Sequence, residues 1–495
     1  MQTANRVPVF NACCLTFLFC FSILSLRAQS PAISLQDCFR IAAEHNLTVS
    51  QAKTTLKATE YNLAAEKQSH LPKVDLLASY NYLSKPLEIN LGTVRNGIVE
   101  GSSQQSVNTA NEVYKSITGN DLSQAAQQNI YNTSKAIIGG IYPDYNPPLS
   151  RQSYFLAGLF VRQPIYLGNK LGAIQNLAVS AVASARINVD VAGEQVSAAI
   201  SAQYLRILYL NTILQKQASI VEILKKNETY AGEMVKNQVL PPYQKNWATV
   251  FLVQAESRYS NVQLEKKNAM LELNKLIGIP LDSGITIPDT LRYLDIRPAD
   301  IRGESAGHDF WATNPLYKLV ESRTAFAKTS EQIGRSLSLP NIFAIGNYNL
   351  FQQDLPVIAP PWSVGVEMQW NIFNGTQTLK RTQAARQLVE ESRLAESNTR
   401  LGLQVQLQVA LNKMEALQND VRSLDTARRE AQTTSRLIRE RMQNQLSSPK
   451  DVNDALLIQE EADKAYFTAV LGYYLALATY YTIIGTPERI VEIIK

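Results

Sequence analysis

The chain repeats itself at two fixed offsets, and this duplication constrains the fold more than any other feature. His45-Asn46-Leu47 matches Thr313-Asn314-Pro315, and Leu71-Pro72 matches Leu339-Pro340, at an offset of 268 (314 − 46). Tyr166-Leu167-Gly168 matches Phe373-Asn374-Gly375 at 207 (375 − 168). Pro242 and Pro449 share that offset, as do Leu276-Ile277-Gly278-Ile279-Pro280 and Ile483-Ile484-Gly485-Thr486-Pro487. The first half therefore carries 61 extra residues (268 − 207) between its Leu-Pro and its Gly. Repeats of this length are whole structural halves, not solenoid units.

Each half reads alike. The first repeat, 33–278, opens with a helix over 34–70, and the second, 309–484, with one over 309–338; Leu-Pro ends each, because proline disfavours helix in the residue before it. Strands follow at about 73–83 and 341–351, with returning strands at 153–166 and 362–373. In the last, Trp362, Val364, Val366, Met368, Trp370 and Ile372 alternate with Ser363, Gly365, Glu367, Gln369 and Asn371. One such strand alone fits an ordinary half-buried sheet. Aromatics recur in all four (Tyr80, Tyr154, Tyr348, Trp362), which matches the girdles of a membrane barrel.

Two proline-free segments, 169–238 and 376–445, then read as very long helices, turning back at Val239-Leu240-Pro241-Pro242 and Leu446-Ser447-Ser448-Pro449 into returns over 243–277 and 450–484. Seventy residues at ~1.5 Å rise span roughly 105 Å, more than any globular core. Such rods pack lengthwise as a coiled-coil-like layer, with Val196, Ile200, Tyr204, Ile207 and Leu403, Leu407, Leu411, Met414, Leu417 as seams. Leu401 to Val409 also alternates with period two but stays helical by its flanks. A short helix from each end of a half, stacked end to end, nearly equals one long helix. Irregular waist segments at 279–308 and 485–495 complete the plan. The expected class is mainly α, with long antiparallel helices and four strands per chain. Four strands cannot close a barrel, so the chain must oligomerise; three copies would supply twelve.

Residues 1–28 read as a signal peptide: Arg6, an apolar run from Val7 to Leu26, then Ala28-Gln29-Ser30. The competing reading is a retained membrane anchor. No later stretch is long enough to cross a bilayer as a helix. The net charge of +5 leaves no electrostatic case for nucleic acid, and only Cys38 lies beyond the leader, which excludes a disulfide scaffold and a structural zinc site.

Both halves resemble the TolC-type outer-membrane efflux proteins. The resemblance rests on the Asn-Leu/Pro then Leu-Pro pattern, Pro164-Ile165-Tyr166-Leu167-Gly168, Asn371-Ile372-Phe373-Asn374-Gly375 and Ser448-Pro449-Lys450-Asp451-Val452-Asn453-Asp454-Ala455, and spans about 33–487. It implies a homotrimer with a 12-stranded β-barrel in the outer membrane, contacting its lipid, continued by an α-helical barrel across the periplasm. It also implies an exit duct that docks on a periplasmic adaptor and an inner-membrane transporter. The hairpin tips (Leu240, Pro241 and Pro242; Leu446, Ser447, Ser448 and Pro449) would contact the adaptor. Asp451 and Asp454 match the family's acidic rings at the periplasmic aperture; read locally, they are helix N-terminal acids that complement the macrodipole. The chain departs from the family in having Gln238 and Gln445 where glycine is usual near the tips, and Asn371 in place of a proline. Gln244 and Trp247 occupy the first half's equivalents of the two aspartates.

Residues 84–150 join two strands at the end away from the helices, so the insertion is expected to be extracellular. Arg428, Arg429, Arg436, Arg439 and Arg441 either form a solvated helix face or pair with acids of neighbouring helices or an adaptor. No nucleophile elbow, zinc-protease motif, Walker loop or dinucleotide fingerprint is present, and His45, His70 and His308 are far apart; an enzyme is not expected, and neither is a cofactor or metal. The competing class is a soluble periplasmic coiled-coil scaffold whose strands form a small sheet.

Overall fold

The computed structural model describes residues 32–86, 88–142, 144, 146–148, 151–305, 309–353 and 360–494. The predicted leader and His308 lie outside the described residues. The chain forms two compact units. One comprises Lys67–Gly172 and Arg335–Thr378; the other holds the remainder.

The helical unit begins with α1 (Leu35–His45) and α2 (Leu47–Lys67), where one helix is expected from the sequence. Asn46 divides them. Its backbone is extended, its Oδ1 accepts from the N–H groups of Thr48 (2.8 Å) and Val49 (3.1 Å), and its Nδ2 donates to the Leu276 carbonyl at 2.6 Å. One side chain thus caps a new helix and ties it to the end of a distant one.

In the sheet unit, β1 (Lys73–Tyr82) precedes α3 (Gly92–Thr118) and α4 (Gln124–Ile141), and β2 (Ser153–Leu167) follows. The insertion therefore contains a helix pair, which its low apolar content concealed. Next come α5 (Lys170–Lys236), α6 (Pro242–Ile277) and α7 (Pro298–Ser305), the last inside the expected irregular waist. A 3-10 turn at Phe310–Ala312 leads to α8 (Pro315–Ser336), which starts later than expected because Asn314 caps it, its Oδ1 accepting from Leu316 N–H. Asn314 Nδ2 donates to the Ile483 carbonyl at 2.9 Å, the same tie that Asn46 makes to Leu276. Gly278 permits the first of these junctions. Its φ is +77°, and a Cβ there would lie 2.3 Å from the His45 carbonyl oxygen.

The remaining elements are β3 (Asn341–Gln353), β4 (Trp362–Gln369), α9 (Gln377–Gln443), α10 (Pro449–Ile483), a 3-10 turn at Pro487–Arg489 and α11 (Ile490–Ile494). β4 ends four residues before the sequence expectation because its partner β3 begins at Asn341, opposite Gln369. The sheet is antiparallel in the order β1-β2-β3-β4, with Pro164 beside an irregularity where no ladder donor is needed.

The helical core is aromatic at one end. Tyr473, Tyr474 and Tyr480 of α10 donate to the carbonyls of Ile296, Arg292 and Ile301, pinning the 279–305 segment by its backbone. The seams predicted from the sequence are buried, except that Leu417 is half-buried. In α9, Leu403 and Leu407 are buried while Leu401, Val405 and Val409 are exposed. The apparent period-two pattern is thus two faces of one helix. A second, smaller apolar cluster joins Ile220 and Leu224 of α5, Ala255 of α6, Met442 of α9, and Val452 and Leu456 of α10.

Candidate functional site

The two helix tips are built by the same local geometry. Gln238 and Gln445 adopt left-handed backbone, at φ +61° and +59°. Val239 N–H reaches back to the Met234 carbonyl and Leu446 N–H to that of Arg441, closing the long helices in the manner usually given to glycine. Prolines then start the returns, Pro242 at the first position of α6 and Pro449 at the first of α10. Leu240 and Pro241, and Leu446, Ser447 and Ser448, lie between the helices of each pair.

Asp451 and Asp454 sit in the first turns of α10. Ser448 Oγ accepts from Asp451 N–H at 3.2 Å, and Asp451 Oδ2 accepts from Ser448 N–H at 2.8 Å, a complete capping box. Asp454 Oδ2 accepts from Lys450 Nζ at 2.6 Å, and this bond holds the Lys450 ammonium above its ordinary pKa. Both aspartates are thus anchored, each within one turn of its partner. At the equivalent positions of α6, Gln244 is half-buried and Trp247 is exposed against Phe251.

Above the tip lies a buried polar layer that the sequence did not reveal. Glu460 is buried, accepting from Gln217 Nε2 at 2.7 Å and Arg258 Nη2 at 3.0 Å. Asn227 Nδ2 donates to Asn453 Oδ1 at 2.7 Å and to the Pro449 carbonyl. Gln432 Nε2 donates to Asp463 Oδ1 at 2.8 Å. Residues 460 and 461 look like a plain acidic pair in sequence; only helix rotation separates a buried acid from an exposed one.

The arginine cluster pairs mainly on its own helix, not with acids of neighbouring helices. Arg428 and Arg429 share Asp425, at 2.6 and 2.7 Å, and Arg436 meets Glu440 at 3.3 Å. Arg439 and Arg441 donate to the Ser435 and Leu446 carbonyls. Arg428 also lies 4.5 Å over the Tyr466 ring. Burial works to raise the Asp425 pKa, but the two guanidiniums outweigh it and hold the carboxyl below its ordinary range.

The sheet has two chemically distinct faces. One carries Val74, Leu76 and Tyr80 of β1, and Trp362, Val364, Val366 and Met368 of β4, all exposed. Along one row, Val74 pairs with Val161, Val161 with Gly346, and Gly346 with Val364. The other face carries Arg162, whose guanidinium lies 3.7 Å over the Phe343 ring and 3.5 Å from Glu367, and Ser363, which bonds Asn347. Among the described residues, neither β1 nor β4 has a neighbour on its outer edge. No described helix is long and apolar enough to cross a membrane. No described cluster of His, Cys, Asp or Glu is suited to a metal ion.

A four-stranded two-faced sheet, interrupting paired long helices twice, defines the TolC-type outer-membrane-factor fold. The solved structures that share it include the outer membrane protein VceC of Vibrio cholerae (14% identity, 91% of this chain and 96% of that one, TM-score 0.65). The Campylobacter jejuni CmeC outer membrane channel matches at 14% identity, 92% and 86% coverage and TM-score 0.67. The open state of the Neisseria gonorrhoeae MtrE outer membrane channel matches at 15%, 92% and 89%, with TM-score 0.65. The sequence matches no family model, and no curated protein matches it.

Proposed function

We propose that the chain is the outer-membrane exit duct of a tripartite efflux or secretion system. Three copies close a 12-stranded barrel in the outer membrane, and their helices line a passage through the periplasm. The observation that carries this reading is the sheet. Among the described residues its apolar face is bare, its opposite face holds an ion pair, and neither edge strand has an outer partner. Bare edges invite pairing, and closure into a barrel removes them. An apolar band outside and a polar lining inside are what a water-filled barrel in lipid requires. The stripe of Leu401, Val405 and Val409 on α9, exposed in the single chain, would likewise be covered by neighbouring copies.

The repeated asparagine ties favour an internally duplicated protomer, so that three copies present six similar helix pairs. The tips would dock on a periplasmic adaptor, with an inner-membrane transporter supplying energy; the duct itself is passive and not an enzyme. Asp451 and Asp454 would form acidic rings at the aperture, favouring cations, with Lys450 offsetting part of the Asp454 charge. The soluble-scaffold alternative leaves the apolar sheet face without a covering.

Two measurements test the reading. Outer-membrane fractionation with an SDS-resistant, heat-dissociable trimer is expected; a monomer extracted without detergent would sink it. In planar bilayers, wild type is expected to conduct poorly and Asp451→Ala/Asp454→Ala to conduct more; equal conductance would remove the gate.

A further inference from the structure

The α3–α4 hairpin buries few side chains of its own. Its ends are fixed by polar ties. Arg95 Nε donates to the Tyr142 carbonyl at 2.6 Å, and at the far end Asn111 Oδ1 accepts from Leu122 N–H at 2.7 Å. Between those ties α3 buries only Val99, Ser103 and Val107, and α4 buries nothing. Both helices are rich in Ser, Asn, Thr and Gly, which are poor helix formers. Helices of this composition hold only by packing, and two helices with three buried side chains make too small a core.

α3 carries a second seam. Val94, Gly97, Ile98 and Gly101 follow at i, i+3, i+4 and i+7, on the side of the helix opposite Val99 and Ser103. Val94 and Ile98 are exposed, and a Cβ added at Gly97 or Gly101 would meet nothing within 4 Å. The apolar side chains thus alternate with open notches into which another helix can fit closely. The hairpin is also electrically neutral: Arg95, Lys115 and Lys135 balance Glu100, Glu112 and Asp121. Nothing in it selects a strongly charged partner. It leaves the sheet from the end of β1, an edge strand.

We infer that the occupant of this seam is the same hairpin of the adjacent copy, so that the hairpins form a helical cap over the outer mouth of the barrel. This rests on the trimeric-duct reading. Pairing of the β1 and β4 edges between copies would bring the three hairpins to one level, where their identical seams can converge on the three-fold axis without a foreign protein. The cap would narrow the exit.

The test uses the full chain in detergent, with single cysteines at Ile98 in the seam or at Glu100 on the helix flank, and wild type as the blank. On oxidation, Ile98→Cys is expected to form a disulfide-linked dimer at least 5-fold faster than Glu100→Cys. Val94→Cys repeats the test one turn away if Ile98→Cys folds poorly. Replacing residues 92–141 by a short Gly-Ser loop in the Asp451→Ala/Asp454→Ala background is expected to keep the SDS-resistant trimer and raise its conductance further. A persisting trimer with no faster crosslinking at either seam position overturns the inference and leaves the duct reading intact. Rapid, complete labelling of Ile98→Cys by a hydrophilic maleimide in the intact trimer also overturns it, because the seam is then open to another occupant. Loss of the SDS-resistant trimer from wild type overturns both.

Discussion

Glu460 of α10 and Arg258 of α6 stand 2.8 Å apart, and the acid is buried while the base is one-third exposed. The pair joins the two return helices, and Gln217 adds α5 to the same carboxylate. Removing one partner of a buried pair strands the other, at about 3–5 kcal/mol. With Arg258 partly solvated, Arg258→Ala is expected to cost about 2–3 kcal/mol, less than that full range. Arg258→Met/Glu460→Met should recover most of it, since apolar replacement of both partners is often neutral. Chemical denaturation of the solubilised protein measures both; equal losses in the single and double variants would deny the coupling.

Asn46 and Asn314 each do three things: end one segment, cap the next helix and hold a distant helix terminus. Asn46→Ala removes two acceptor bonds and one donor bond, so a loss of about 2 kcal/mol is expected. Asn314→Ala should behave alike. Asn46→Asp keeps the cap but loses the donation to Leu276, and should fall between. A drop below 0.5 kcal/mol in Asn46→Ala, by the same denaturation, would show that the tie is not stabilising on the scale of an ordinary cap, about 1 kcal/mol.

The left-handed Gln238 and Gln445 carry backbone strain that glycine would not, of about 1 kcal/mol each. Glycine also loses more freedom on folding, so Gln445→Gly is expected to stabilise by only about 0.5 kcal/mol. A thermal melt should rise slightly, whereas Gln445→Val should lower it. A lower melting temperature for Gln445→Gly would mean the Gln side chain makes contacts that matter more than the strain.

Glu194 of α5 lines a cavity of about 390 Å³ with Asp190 and Glu488. Burial pushes its pKa from 4.5 to about 7, with the Asp190 charge adding to the rise and Lys318 opposing it. The folded chain therefore holds this proton more tightly than the unfolded one. Stability is greatest below about pH 4.5 for this group and falls as pH rises to about 7. Glu194→Gln should raise the melting temperature at pH 8 and flatten its decline over that window. An unchanged decline would assign the pH dependence to other groups.

Much of the plan was legible because it depends on local spacing. The helix turns at Pro242 and Pro449, the strand alternation of 362–369 and the seams at Val196, Ile200, Leu403 and Met414 follow from period and proline chemistry. The break at Asn46 was missed because a lone asparagine inside an apolar pattern looks like an ordinary helical residue. Its role depends on a carbonyl 230 positions away. The α3–α4 pair was missed because Ser, Asn and Gln dilute its apolar period. Asp451 and Asp454 are singled out by motif alone as an aperture gate; their capping and Lys450 partners needed coordinates.

Outside residues 84–150 and the break at Asn46, the amino-acid order alone marked most of the rods, ribbons and turns, because those states answer to neighbours a few residues apart. The proposed duplication rests on matching offsets in the sequence. Tertiary packing decided which acid is buried, as with Glu460 against Glu461, and which arginines pair along their own helix. It also decided which edges and seams stay uncovered. These depend on helix rotation and on strand order in space, and residues hundreds of positions apart fix both.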